Sequence, residues 1–118
     1  MRKPVLIVED DESAREALAA FLQAEGYPVV EAANGREALD RLQRDSIGVI
    51  LLDLMMPVMD GWEFRAAQIR DPTLARVPVM VITADASARS RAMSLGAQEY
   101  MTKPIQFGRL LEFVGRHC

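Results

Sequence analysis

The stretch IGVILLDLMMPVMDG, Ile47 to Gly61, carries an unbroken apolar run into Asp53 and then leaves at once through Met55, Met56 and Pro57. A short apolar run closed by turn-forming residues reads as a strand buried on both faces. A carboxylate is costly to bury. Its place at the tip of such a strand therefore asks for a chemical reason.

Similar runs lie on either side: VLIV (Val5 to Val8), PVV (Pro28 to Val30), VPVMVI (Val77 to Ile82) and the weaker EYM (Glu99 to Met101). Helical spacing fills the gaps. Ser13 to Glu25 places Ala17, Leu18, Phe21 and Leu22 on one face and stops at Gly26, a C-terminal cap. Asn34 with Glu37 three residues on resembles a capping box, opening a helix to about Arg44. Asp60 caps a third helix through Trp62, Phe64 and Ile69, ended by Pro72. Asp85 starts a fourth that runs through Met93 and Leu95 to Gly96, and Gln106 to Arg116 is the fifth, with Phe107, Leu110, Leu111 and Val114 on one face. Strand and helix alternate five times. Parallel strands need crossovers and helices cover both faces, so the expected fold is one doubly wound α/β sandwich with a five-stranded parallel sheet.

The chain has 118 residues, half of them apolar, and a net charge of −3. That is one ordinary domain, with no basic field to attract nucleic acid or an anionic membrane. The one cysteine is Cys118, so no internal disulfide framework exists. The N-terminal MRKPVLIVED is too short in its apolar part for a signal peptide or a span, and a cytoplasmic protein is expected.

Four of the five runs finish on residues that can do chemistry: Glu9 and Asp10, Asp53, Thr83, and Lys103. In a parallel sheet all carboxyl ends share one edge, and ligands of open α/β folds bind there. Three gathered carboxylates repel and recruit a cation. With only oxygen ligands, Mg²⁺ suits them better than zinc, and Mn²⁺ is also compatible. Lys103 adds a second positive charge and Thr83 a hydroxyl donor, a set that matches phosphoryl transfer. Asp53, the central acid, is the best nucleophile, forming an acyl phosphate.

On these features (Glu9-Asp10 after the first strand, Asp53 followed by LMMPVMDG, Thr83-Ala84 after the fourth and Lys103-Pro104 after the fifth), the sequence resembles the CheY-like receiver domain of bacterial response regulators over essentially its whole length. The resemblance implies a strand order of 2-1-3-4-5, residues 1–118 as the receiver domain, and no effector domain in this chain. It also implies that Asp53 accepts a phosphoryl group from a histidine kinase or histidine phosphotransfer protein in a two-component system or phosphorelay. Asp10, Asp53 and the Met55 carbonyl would hold Mg²⁺ directly and Glu9 through water. Thr83, Lys103 and the Ala84 N–H would meet the phosphoryl group, and Tyr100 would be the aromatic that turns inward when Thr83 moves. The Lys103-Pro104 bond would be cis. Phosphorylation would shift an existing equilibrium of the surface formed by the fourth helix, fifth strand and fifth helix, where a downstream protein binds or the monomer becomes a homodimer. Met55 and Asp85 hold the positions that set dephosphorylation rate in the family, and apolar Met55 implies a long-lived phosphoryl group.

Asp11 and Glu12 fit a plainer role as caps of the first helix. The methionines at 55, 56 and 59 read as loop and core packing, Trp62 as packing, and Arg89 and Arg91 as a solvated face. A haloacid-dehalogenase-like phosphatase would carry DxD on its first strand, whereas Asp53 is followed by Leu54 and Met55 on the third. Neither GxGxxG nor GxxxxGK[ST] is present, so nucleotide-binding folds are excluded. Apart from self-catalysed phosphoryl transfer and slow autodephosphorylation, no enzyme activity is expected. The alternative reading is a receiver fold used as a phosphorylation-independent interaction module.

Overall fold

The computed structural model describes residues 2–56 and 58–118; Pro57, which the sequence reading uses as the break after Asp53, lies outside the described residues. Five strands, β1 (Val5–Val8), β2 (Val29–Ala32), β3 (Val49–Leu52), β4 (Val79–Thr83) and β5 (Glu99–Thr102), form a parallel sheet in the order β2-β1-β3-β4-β5. Between and after them run α1 (Glu12–Ala24), α2 (Gly35–Arg44), α3 (Gly61–Arg70), α4 (Arg89–Ser94) and α5 (Phe107–His117).

Alternation along each strand builds two cores. Val5, Ile7, Val49, Leu51, Met80 and Ile82 face α1 and α5, packing on Leu18, Leu22, Leu110 and Phe113. Leu6, Val8, Ile50, Leu52, Val79 and Val81 point the other way, onto Ala38, Leu42, Phe64 and Ala92 of the remaining helices. Burial on both faces explains why the central strands read as continuous apolar runs. The strand order reverses between β1 and β3, where the α/β crevice forms.

The element ends differ from expectation at four places. Asn34 accepts from the Glu37 N–H at 2.9 Å, but Glu37 reaches back to the N–H of Ala33, not to that of Asn34, so this box is half formed. The reciprocal box is at Asp60 and Glu63 instead. The fourth helix is not continuous from Asp85. A 3-10 turn over Ala86–Ala88 comes first, because the Asp85 carboxylate accepts from both the N–H and the hydroxyl of Ser87 and tightens the chain there. Finally, the β2 run extends beyond Val30 to Ala32, and β4 begins at Val79, after Pro78.

The apolar residues that trace α3 mark its buried face only in part. Ile69 is exposed, while Phe64, Arg65 and Gln68 are buried. Trp62 packs against the core, and Arg91, exposed to solvent as expected, lays its guanidinium 4.1 Å over the Trp62 ring. Met56 and Met59 pack on the core as expected, but the Met55 side chain is 69% exposed. Gly61 is required by close approach: a Cβ there would come within 2.6 Å of the Leu54 Cα, so α3 sits directly against the end of β3.

In the β3–α3 loop, exposed Val58 has φ 67, in the left-handed region that β-branched residues avoid. Asn is tolerated there far better. Val58→Asn is expected to raise unfolding stability by about 1 kcal/mol in urea titration, since no buried surface is lost.

Candidate functional site

The carboxyl ends of β1, β3, β4 and β5 deliver the site, and backbone bonds continue the ladders past the strands to fix it. Glu9 N–H donates to the Ala32 carbonyl at 3.1 Å, Asp53 N–H to Val8 at 3.0 Å, and Lys103 N–H to Thr83 at 2.8 Å. Each residue thus inherits the rigidity of the sheet. The Lys103-Pro104 peptide is cis, as expected.

Glu9, Asp10 and Asp53 each bring a carboxylate oxygen within 4.8 Å of the others. Glu9 and Asp53 are buried, at 7% and 8% exposure, while Asp10 is open to solvent. The Lys103 ammonium reaches across from β5 to Glu9 Oε1 at 3.1 Å and to Asp53 Oδ2 at 3.4 Å. Asp53 Oδ1 accepts from the Met55 N–H at 3.2 Å, which turns the chain sharply after the strand. Arg15 of α1 braces the β1 side, donating to the Glu9 carbonyl at 2.9 Å and to Glu31 Oε1 at 3.1 Å. Behind the carboxylates a cavity of about 340 Å³ is walled by Ala14, Ala17, Leu18, Ile105 and Phe107, an apolar surround that keeps the local dielectric low.

The charges do not balance. Three carboxylates lie beside one ammonium, and Glu9 Oε2 is buried with no hydrogen-bond partner among the described residues. Burial first, and then the hydrogen bond and charge of neighbouring Asp53, push the Glu9 carboxyl up to about 7 against the opposite pull of Lys103. For Lys103, burial favours loss of the proton, but the hydrogen bond to Glu9 and the charges of Asp53 and Glu9 outweigh it and hold the ammonium above its ordinary value. An unsatisfied buried oxygen amid three acids is a site that fits a hard divalent cation.

The remaining residues flank this cluster. Thr83 ends β4 fully buried, its Oγ1 accepting from the Asp85 N–H at 3.3 Å, and Ala84 next to it is exposed. The Tyr100 hydroxyl donates to the Asp85 carbonyl, tying β5 to the loop after β4. The Asp85 carboxylate is turned away into its own turn, where the bonds from Ser87 hold it below the usual carboxylate range. Arg15 was not singled out by sequence reasoning, since an arginine on a helix face is ordinarily solvated; only its place one turn after the Glu9-Asp10 pair could have signalled it.

A family model described as the response regulator receiver domain matches residues 5–115. Response regulator MprA of Mycolicibacterium vanbaalenii is 40% identical over 109 residues, covering 91% of this chain and 46% of that protein. The chain therefore spans about half the length of the curated relatives it matches. Among solved structures, chemotaxis protein CheY4 of Vibrio cholerae is 32% identical with a TM-score of 0.89, over 100% of both chains. The response regulator TrrA of Thermotoga maritima, in complex with Mg²⁺-BeF, is 32% identical with a TM-score of 0.87, over 98% of this chain and 99% of that one.

The raised Glu9 carboxyl has a testable sign. Folded Glu9 holds its proton more tightly than the unfolded value of 4.5 allows, so its stabilising contribution is present at low pH and lost as pH rises through about 7. In the presence of a chelator, Tm should fall across that window, and Glu9→Gln should flatten the fall. An equal slope in both proteins would show that Glu9 is not its source.

Proposed function

Because this chain belongs to the response regulator receiver domain family of two-component systems, we propose that it is a phosphoacceptor whose site residue is Asp53. The observation that carries this reading is the buried Asp53 carboxylate beside the Lys103 ammonium, within an acid cluster whose charge calls for a cation. A module that worked only by shape would have no use for that costly arrangement.

In the proposed transfer an Asp53 carboxylate oxygen attacks the phosphorus of a phosphohistidine on a histidine kinase or histidine phosphotransfer protein. The P–O bond forms as the P–N bond breaks, and the leaving imidazole keeps the electron pair and takes a proton. Asp10, Asp53 and the Met55 carbonyl would hold Mg²⁺, with Glu9 acting through water; Mn²⁺ would serve as well. When bound, the ion would supply electrostatic neutralisation of the phosphoryl oxygens. Lys103 already faces Asp53 and needs only to exchange its carboxylate contact for a phosphoryl oxygen. The Ala84 N–H would be a further donor to it. Thr83 must release the Asp85 N–H to turn its hydroxyl to the phosphoryl group. Loss of that bond loosens the loop held by Tyr100, which then moves inward. The output would be a population shift in the α4, β5 and α5 surface, read by a downstream protein or by a second copy of the chain. The role is signalling in the cytoplasm, with no turnover of a separate substrate.

Incubation with acetyl phosphate and Mg²⁺, followed by intact mass measurement, should show one phosphoryl group on the wild type. None should appear without Mg²⁺ or on Asp53→Asn. Failure to form the adduct in wild type, with no Mg²⁺ binding, would return the chain to the interaction-module reading. The exposed thioether of Met55 and the engaged carboxylate of Asp85 offer no group to orient an attacking water. Autodephosphorylation should therefore be slow, and Met55→Asn should shorten the phosphoryl lifetime severalfold when loss of label is followed with time.

A further inference from the structure

Arg65 and Gln68 are a buried polar pair on α3 that the acidic site does not use. Arg65 Nε donates to the Leu95 carbonyl at 2.9 Å, Nη2 to the Gly96 carbonyl at 3.0 Å, and Nη1 to Gln68 Oε1 at 2.7 Å. Gln68 Nε2 then donates to the carbonyls of Leu74 and Val77 at 2.9 and 3.1 Å. One bonded chain thus links the end of α4, through α3, to the segment before β4.

Among the described residues no ion pair involves Arg65, so its charge is met by neutral oxygens alone. The Leu95 carbonyl lies at the C-terminal end of α4, where a cation is favoured. Gly96 turns at φ +80, and a Cβ there would come 3.1 Å from Arg65 Nη2, so the turn leaves room for the guanidinium. Sliding α4 along its axis would strand a buried charge without acceptors, an expensive displacement.

The opposite end of α4 is held differently. Its N-cap, Ala88, makes no side-chain capping bond. The ties of the preceding loop run through Asp85, to Thr83 and to Tyr100, while α4 itself packs through Ala88 and Ala92 and, from its last turn, lays Arg91 over Trp62 of α3. One end is fastened to α3 by buried hydrogen bonds. The other is fastened to the residues that the proposed transfer would move.

We propose that Arg65 is the pivot of α4, fixing its C-terminal end so that a rearrangement at Thr83 and Tyr100 swings the N-terminal end about the Leu95–Gly96 turn. What drives the swing rests on the phosphoacceptor reading. The anchoring itself is a property of the unmodified protein.

The test is amide hydrogen exchange and chemical shift by NMR on wild type, Arg65→Met and Arg65→Lys, before and after adding beryllofluoride with Mg²⁺. The amides of Leu95, Gly96 and Ala97 are bonded to α4 carbonyls and report the anchor. In unmodified Arg65→Met their protection should fall by about tenfold relative to the β1 and β3 amides, with partial recovery in Arg65→Lys. Equal loss of protection everywhere would overturn the anchor and leave Arg65 a general stabiliser. In wild type, beryllofluoride should shift amides 85–92 strongly and 95–97 weakly, whereas in Arg65→Met the change should spread through 95–97. Equal shifts at both ends in wild type would overturn the pivot. A wild type that binds no beryllofluoride would overturn the swing together with the phosphoacceptor reading, and the exchange data alone would then decide the anchor.

Discussion

Two carboxylates held out of water at neighbouring strand tips, with one ammonium between them, are the constraint around which the molecule is organised. Glu9 and Asp53 come from β1 and β3, but Lys103 comes from the far end of the chain, after β5. The acids are therefore uncompensated until the last strand has docked. A buried charge without a partner is strongly destabilising. The edge strand β5 and the helix that follows it are thus coupled electrostatically to the sheet centre, as well as by packing of Met101, Leu110 and Phe113. Rigidity follows from the same arrangement, because the ladder bonds at Glu9, Asp53 and Lys103 leave these side chains little freedom to escape one another.

Much of this was legible in the sequence, for a physical reason. A doubly buried parallel strand has no polar alternation, so its apolar run ends abruptly, and the first polar residue marks the sheet edge. Val8 before Glu9, Leu52 before Asp53 and Ile82 before Thr83 are all of this kind. Convergence of the four strand ends then follows from topology alone. The helices were less legible. Apolar periodicity located α3 and Phe64 on its inner face but not the whole of that face, because two further residues pointing inward are Arg65 and Gln68, and the backbone acceptors of Arg65 lie in a distant turn. Nothing in local sequence announces a carbonyl thirty residues away. The division of the fourth helix depends on Asp85 capturing Ser87, a local competition that favours the tighter turn and that a continuous helical reading passes over.

The two faces of the sheet are unequal in their tolerance of movement. The α1 and α5 face is closed by long helices with many large side chains, including the Phe21 and Phe107 rings 4.5 Å apart. The opposite face ends in α4, six residues long and preceded by a 3-10 turn. Short helices gain little from internal hydrogen bonding and depend on tertiary contacts for their position. The corner next to Thr83 and Tyr100 is thus the part of the sheet's cover that leans most on tertiary contacts.

That corner also contains the one tryptophan in the chain. The Trp62 indole lies at the root of α3 beneath the guanidinium of Arg91, a residue carried by α4 itself. An indole's emission depends on the charge and solvent over its ring, so the protein holds an intrinsic fluorophore on α3 with the perturbing group on α4. Any displacement of α4 relative to α3 would therefore be written into the colour and yield of a single native chromophore, open to optical recording without any label.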